Sequence, residues 1–269
     1  MPANEPLPSL KDDLRLIREA AATAGRIALK HFGRDPDVWH KENDSPVSEA
    51  DFAVDEFLKT ELLAARPDYG WLSEETEADP ARFSRRRCFV VDPIDGTRAF
   101  LAGKKTWCVS IAIVEEGVPL VGVLDCPAIG EIFEATRGDG AYCNGSALKR
   151  QERQPPFSIA GPASMLREMP GSLLQTNRAQ KHIPSLAYRI AMVADGRLDA
   201  TFIKTNSHDW DIAAALLMLK ETGGQVLTPD GSEATIGRSA SSHGPLLACQ
   251  NHLIEQLLPV LKAVANKRS

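Results

Sequence analysis

The chain has no segment suited to crossing a membrane. No apolar run approaches the roughly 18 residues that a spanning helix needs, so contact with a bilayer is not expected. Basic residues are not in excess: 31 Lys and Arg face 36 Asp and Glu, and the formal net charge is −5, which argues against a surface for nucleic-acid polymers. The opening MPANEPLPSLKDD lacks the basic-then-apolar pattern of a secretory signal, and a cytoplasmic location is expected. Five cysteines (Cys88, Cys108, Cys126, Cys143 and Cys249) form no CxxC pair and are odd in number. They read as buried thiols in a reducing compartment, not as a disulfide frame or a zinc site. His40 and His208 have no second histidine at ligand spacing, so both read as structural or supporting. Internal repeats and low-complexity segments are absent. What remains is an ordinary globular composition, 43% apolar and 25% charged over 269 residues, enough for one large domain or two smaller lobes.

Apolar residues Leu14, Ile17, Ala21, Ala24, Ala28 and Phe32 recur at helical spacing and predict an amphipathic helix over 12–32 that ends at Gly33. Ser45-Pro46 predicts a loop. Ser48 is a candidate cap for a helix running to Ala65, with Asp51 placed to close a capping box. Trp71-Leu72-Ser73 predicts a short strand that delivers Glu74 and Glu75. Strands over 107–114 and 118–125, joined by Glu115-Glu116-Gly117, predict a hairpin, continued by strands at 131–135 and 140–143. Residues 150–175 are polar and Pro-rich and predict a seam between two lobes, 1–150 and 151–269, with the active site between them. A helix over 185–194, a strand over 200–203 and a strongly apolar helix over 212–222 follow. Strands over 225–227 and 245–248 and a helix over 252–265 close the chain.

The centre of this pattern is Phe89-Val90-Val91-Asp92-Pro93-Ile94-Asp95-Gly96-Thr97. Three β-prone apolar residues predict a strand buried on both faces, with Pro93 marking where its ladder stops. Asp92 and Asp95 lie across one turn, so their carboxylates can converge. Two uncompensated carboxylates repel and raise one another's pKa. A hard divalent cation such as Mg²⁺ removes that penalty, because it takes oxygen ligands. Gly96 allows close approach of backbone to a ligand and Thr97 adds a hydroxyl. Asp-Pro and Asp-Gly are also ordinary turn dipeptides, and the stretch alone leaves both readings open. Three further segments place an acid at an element's end: Asp51 at a helix start, Glu74 after a strand and Asp211 at a helix start. Each has its own plain reading, as a first-turn helix acid, a solvated acidic turn and a helix cap.

Together, DPIDGT at 92–97, WDIAAALLMLKETGG at 210–224, EE at 74–75 and SPVSEAD at 45–51 resemble the inositol monophosphatase superfamily of Mg²⁺-dependent, lithium-sensitive phosphomonoesterases. Their order and spacing match over nearly the whole chain. Ser48 stands where Thr is usual and Ala215 where Gly is common, and neither change removes a ligand. The resemblance implies a layered α-β-α-β-α sandwich of two lobes, α+β in class. It also implies a first Mg²⁺ on Glu74, Asp92 and the Ile94 carbonyl, a second on Asp92, Asp95 and Asp211, and a weaker third beside Glu74. Thr97 and Asp51 would orient and deprotonate the attacking water, with Glu74 counted among the catalytic groups. The backbone N–H groups of Gly96 and Thr97 would cradle the phosphate. A small-molecule phosphate ester is the implied partner, and a homodimer is expected from the family alone.

Substrate choice within the superfamily rests on the loop before Asp211. Inositol phosphatases tend to carry Glu seven residues earlier, where it accepts hydrogen bonds from inositol hydroxyls. This chain has Lys204 there, and Lys104 and Lys105 follow the central motif. A cation suits a second phosphate and offers no acceptor for a hydroxyl pair; the plain alternative is a set of solvated surface lysines. The expected substrate is therefore adenosine 3′,5′-bisphosphate, contacted by Lys204, Asp95 and Asp211. Inositol 1-phosphate is the alternative, and a regulatory binding role on the same fold is a further one. Because every expected metal ligand is present, an enzyme is favoured over a pure binding module.

Overall fold

The computed structural model describes residues 7–34, 38–40, 46–76, 82, 84–149, 153–180, 183–237 and 242–267. Helix α1 (Leu10–His31) starts at Ser9, whose hydroxyl accepts the Asp12 N–H, and buries Ile17, Ala21, Ala24 and Ala28 along one stripe. Strands β1 (Val38–His40) and β2 (Pro46–Ser48) pair as an antiparallel ribbon. This corrects the loop expected at Pro46, since a proline that opens a strand forfeits little of the ladder. Ser45 lies outside the described residues. In helix α2 (Glu49–Ala65) the Asp51 carboxylate reaches back to the Ser48 N–H at 2.8 Å and its hydroxyl at 2.6 Å.

The chain then builds β3 (Gly70–Ser73), β4 (Arg87–Asp95), the single-turn α3 (Thr97–Leu101), β5 (Cys108–Glu115), β6 (Val118–Cys126), β7 (Glu131–Thr136), β8 (Gly140–Cys143) and β9 (Ser146–Ala147). The strands form one seven-stranded sheet in sequence order. Only the β3–β4 pair is parallel. The ladder does not stop at Pro93 as expected. A register shift between Asp92 and Asp95 absorbs the proline, and Asp95 pairs with Cys108 beyond it.

The second half supplies β10 (Phe157–Ala160), α4 (Ala163–Leu166), α5 (Gly171–Thr176), β11 (Asn177–Ala179), α6 (Leu186–Ala194), β12 (Ala200–Ile203), β13 (Ser207–His208) and α7 (Asp209–Glu221). It ends with β14 (Gly224–Leu227), β15 (Ser242–His243), β16 (Leu246–Gln250) and α8 (Ile254–Asn266). A mixed five-stranded sheet runs β11-β10-β12-β16-β14, and β13 pairs separately with β15. Residues 153–175 therefore do not form a bare seam. Phe157 and Ile159 alternate into the core as part of a sheet strand, a run too short to stand out among prolines.

Strand alternation sorts the core into layers. Phe89, Val91, Ile111, Ile113, Val121 and Val123 pack with α1 and α2 on one face of the seven-stranded sheet. Val90, Ala112 and Leu124 face the other way, onto α6 and α7. Those two helices also cover Ile203, Val226, Leu246 and Ala248 of the second sheet. Phe202, Leu247 and Cys249 point outward onto Leu257, Val260 and Leu261 of α8. The result is the layered α-β-α-β-α sandwich expected. Gly122 permits the central contact: a Cβ there would stand 2.9 Å from the Ala214 Cα, so the glycine and the Ala213-Ala214-Ala215 run let α7 lie directly on β6. The five cysteines are all free thiols.

Candidate active site

Parallel pairing of β3 with β4 sets Ser73 level with Val91, and the Glu74 N–H continues the ladder to the Val91 carbonyl at 3.2 Å. Glu74 and Asp92 thus leave adjacent strand ends side by side. Helix α7 presents Asp211 from its first turn, where the carboxylate caps the helix by accepting the His208 N–H at 2.7 Å. One oxygen from each of Glu74, Asp92 and Asp211 lies within 4.8 Å of the others.

Burial pushes the Asp92 carboxyl well above its ordinary range, and the charges of Glu74, Asp95 and Asp211 push it further. Asp211 is raised by burial and by Asp95 and Glu74, while the His208 N–H and the Lys204 ammonium pull it back. The cluster thus gathers three acids, with Asp92 buried and Glu74 and Asp211 partly open to solvent. Its donors are all oxygen, which suits a hard divalent cation such as Mg²⁺, and such an ion would offset the repulsion among the acids. The residues fit the ion. Once bound, it would acidify water and stabilise charge on phosphoryl oxygens.

Asp95 stands outside this trio. Its carboxylate accepts the Leu186 N–H at 3.1 Å, the Ala187 N–H at 2.7 Å and the Ser185 hydroxyl, and so plugs the start of α6. Burial raises its pKa and these donors oppose the rise. Gly96 opens α3 with φ +95, and a Cβ there would meet Ser185 and the Thr106 carbonyl at 3.1 Å, so glycine is required twice over. Thr97 Oγ1 lies 3.0 Å from the Ile94 carbonyl oxygen and 3.3 Å from Asp51 Oδ1. The Ile94 N–H in turn bonds Asp92 Oδ1 at 3.0 Å. Three contacts thus lead from Asp51 through Thr97 and Ile94 to Asp92 of the acid cluster.

Lys204 is exposed just beyond β12, within electrostatic reach of Asp211. Lys104 and Lys105 are exposed in the turn after α3. His208 stacks on Trp210 with ring centroids 4.6 Å apart, and its Nδ1 lies 4.0 Å from Asp211 Oδ2, a supporting position. The His40 side chain lies outside the described residues.

Sequence reasoning passed over Ser185 and Arg189. Ser185 was visible only as a helix start, because its partner Asp95 is remote in sequence. Arg189 is 5% exposed on α6, donates to the Ile183 carbonyl at 2.9 Å, and has no partner at Nε among the described residues. Burial depresses its pKa to about 10, against the pull of Asp95. Its signal was one arginine inside the apolar LAYRIAMVA segment.

The family model described as the inositol monophosphatase family matches residues 10–265. An inositol-1-monophosphatase of Mesorhizobium japonicum is 34% identical, covering 93% of this chain and 95% of that protein. A histidinol-phosphatase of Chlorobaculum parvum is 33% identical over 83% of this chain and 88% of its own length. Among solved structures, the Thermotoga maritima IMPase superposes with a TM-score of 0.84 at 26% identity, covering 96% of this chain and 100% of that one. The chain belongs to the inositol monophosphatase family and is a phosphoric monoester hydrolase.

Proposed function

We propose that this phosphatase is Mg²⁺-dependent and prefers a small ester bearing a second anionic group, adenosine 3′,5′-bisphosphate above all, which it would convert to AMP and phosphate. The observation that carries the substrate reading is Lys204, near enough to Asp211 to lower that carboxyl's pKa. A cation beside the metal acids and open to solvent gives a second phosphate somewhere to dock. Arg189, buried within electrostatic reach of Asp95 and with no partner at Nε among the described residues, adds positive charge near the acids.

In this reading Glu74, Asp92 and the Ile94 carbonyl would hold one Mg²⁺. Asp92, Asp95 and Asp211 would hold a second, since Asp95 Oδ1 keeps a lone pair beyond its bond from Leu186. A weaker third would be held near Glu74. Thr97 and Asp51 orient the attacking water and take its proton, and the Gly96 and Thr97 amides hold the phosphate. The test is a phosphate-release panel in Mg²⁺ with adenosine 3′,5′-bisphosphate, inositol 1-phosphate, histidinol phosphate and fructose 1,6-bisphosphate. The highest kcat/KM is expected for adenosine 3′,5′-bisphosphate. A tenfold preference for inositol 1-phosphate or histidinol phosphate overturns the substrate reading and leaves the phosphatase class intact.

A further inference from the structure

Asp209 is a carboxylate the chemistry above does not use. Its side chain is 1% exposed, and an acid so far from water is costly to bury unless it is fully paired. Both of its oxygens are taken: Oδ1 lies 2.8 Å from His243 Nε2, and Oδ2 accepts the Gly237 N–H at 2.8 Å. A carboxylate can only accept, so in this pair His243 donates from Nε2.

His243 holds the same stretch of chain a second time through its backbone. Its carbonyl accepts the Asn206 N–H at 2.9 Å, and β15 pairs with β13 so that Ser207 lies opposite His243. Asn206 itself has φ +68, the left-handed region, which an asparagine tolerates where most residues do not. The segment 204–208 is thus bent at Asn206 and tied to β15 at Asn206 and Ser207, and Asp209 just after it is held by Gly237 and His243. Lys204 lies at the open end of that segment and Asp211 at its helical end.

We propose that Asp209 and His243 are positioning residues for substrate specificity: by fixing the bend at Asn206 they set where the Lys204 ammonium stands relative to Asp211. The inference rests on the reading of Lys204 as the docking point for a second anion. Among the described residues Asp209 bonds Gly237 and His243. Because it opens α7 two residues before Asp211, an effect carried to the metal acids would strike every substrate alike, whereas one carried through Lys204 strikes only a substrate with a second anion.

The test compares adenosine 3′,5′-bisphosphate with p-nitrophenyl phosphate, which has no second anion, in the Mg²⁺-loaded full chain. His243→Ala is expected to lower kcat/KM for the bisphosphate at least tenfold, chiefly by raising KM, and to leave p-nitrophenyl phosphate within threefold. His243→Gln, whose side-chain amide can donate to Asp209, is expected to restore most of the loss. In Lys204→Ala the same His243→Ala change is expected to add less than twofold, because the group being positioned is gone. Thermal melts of each variant confirm that the chain is folded. Equal losses on both substrates, or full additivity of the two substitutions, overturn the inference while leaving the docking role of Lys204 standing. A Lys204→Ala variant that treats both substrates like the parent overturns the docking role itself, and the inference falls with it.

Discussion

Thr97 Oγ1 stands 3.3 Å from Asp51 Oδ1, tying the first turn of α3 to the first turn of α2. The other Asp51 oxygen is committed to Ser48, and the single Thr97 hydroxyl proton has two candidate acceptors, Asp51 and the Ile94 carbonyl. When the proton lies on the Ile94 side, Oγ1 can accept from a water and Asp51 Oδ1 can take that water's proton. Asp51→Asn preserves the cap on Ser48 through its amide oxygen but removes the proposed base. It is expected to lower kcat by about 10²–10⁴, the range for general-base removal, with little change in melting temperature. Thr97→Val is expected to fall in the same direction. Steady-state kinetics checks both, and a parental kcat in Asp51→Asn would leave the pair a structural tie only.

A metal-free chain should lose stability as pH rises. Asp92, Asp95 and Asp211 all have folded-state pKa values above their ordinary ones. The unfolded chain therefore loses its protons first. The contribution of these groups to stability is complete below about pH 4, the unfolded carboxylate range, and is lost as pH rises through the raised folded values. Mg²⁺ bound to the ionised acids of the folded chain would reverse the loss. Melts in chelator and in excess Mg²⁺ are expected to coincide near pH 4 and to separate by at least about 4 °C at pH 8, since 1 kcal/mol is worth roughly 2–4 °C for a chain of this size. A gap that does not widen with pH would argue against metal binding at these carboxylates.

Local signals were strong enough to read most of the elements. Ser48 with Asp51, the Glu115-Glu116-Gly117 turn, and the apolar stripe of α1 each depend on neighbours within a few residues, and sequence records neighbours directly. Asp92, Glu74 and Asp211 could be named because each lies at or near the boundary of a recognisable element, and their order matched a known family. The bulge at Pro93 was not legible, since whether a ladder resumes depends on the partner strand and its Cys108. Nor was the closure of Asp95 onto Ser185 and α6, a contact made across ninety residues of chain. Arg189 and the Asp209–His243 pair were missed for the same reason: a buried polar side chain is explained by what it meets in space.

Gly122 fixes how closely α7 approaches the sheet, and so how closely Asp211 approaches Asp92. Gly122→Ala would place a methyl 2.9 Å from the Ala214 Cα, a contact with backbone that no rotamer change relieves. Overpacking of this kind costs about 1–3 kcal/mol. The expected outcome is a lower melting temperature together with a raised Mg²⁺ requirement for activity, because the acids at the two ends of the contact move apart. A Mg²⁺ titration alongside the melt checks the coupling. Lost stability with an unchanged Mg²⁺ profile would mean that α7 tilts about its first turn and leaves Asp211 in place.

Asp125, remote from the metal acids in role, offers a cleaner pH experiment. Burial raises its pKa to about 6, opposed only by Arg26. Its carboxyl packs against Gly25 of α1, where a Cβ would fall 2.0 Å from Oδ2. Because the folded value is raised, the penalty is absent below about pH 4 and is complete above pH 6. Asp125→Asn keeps the shape and cannot ionise. It is expected to melt like the parent at pH 4 and to be more stable at pH 8 by about 2–3 kcal/mol at most, a ceiling set by the size of the shift. Denaturant titrations at the two pH values read the difference directly, and equal stability at pH 8 would show that the carboxylate finds compensation when ionised.

Charge reversal at Lys204 separates the substrate readings. At an effective dielectric of about 20 and a separation near 4 Å, one pair of unit charges is worth roughly 4 kcal/mol before screening. Lys204 is exposed, so most of that is lost to solvent. Even so, a tenfold fall in kcat/KM takes only about 1.4 kcal/mol. Lys204→Glu is therefore expected to lower kcat/KM for adenosine 3′,5′-bisphosphate at least tenfold. Inositol 1-phosphate has no second phosphate to repel, and the new carboxylate can accept hydrogen bonds from its hydroxyls, so its turnover is expected to hold or rise. The substitution also places a negative charge near Asp211 where a positive one stood, which raises that carboxyl further and changes metal binding for every substrate alike. Saturating Mg²⁺ removes this shared effect, and the ratio of the two kcat/KM values cancels what is left of it. A ratio that stays fixed on going from parent to variant would make Lys204 a solvated surface lysine and return the preference to inositol 1-phosphate.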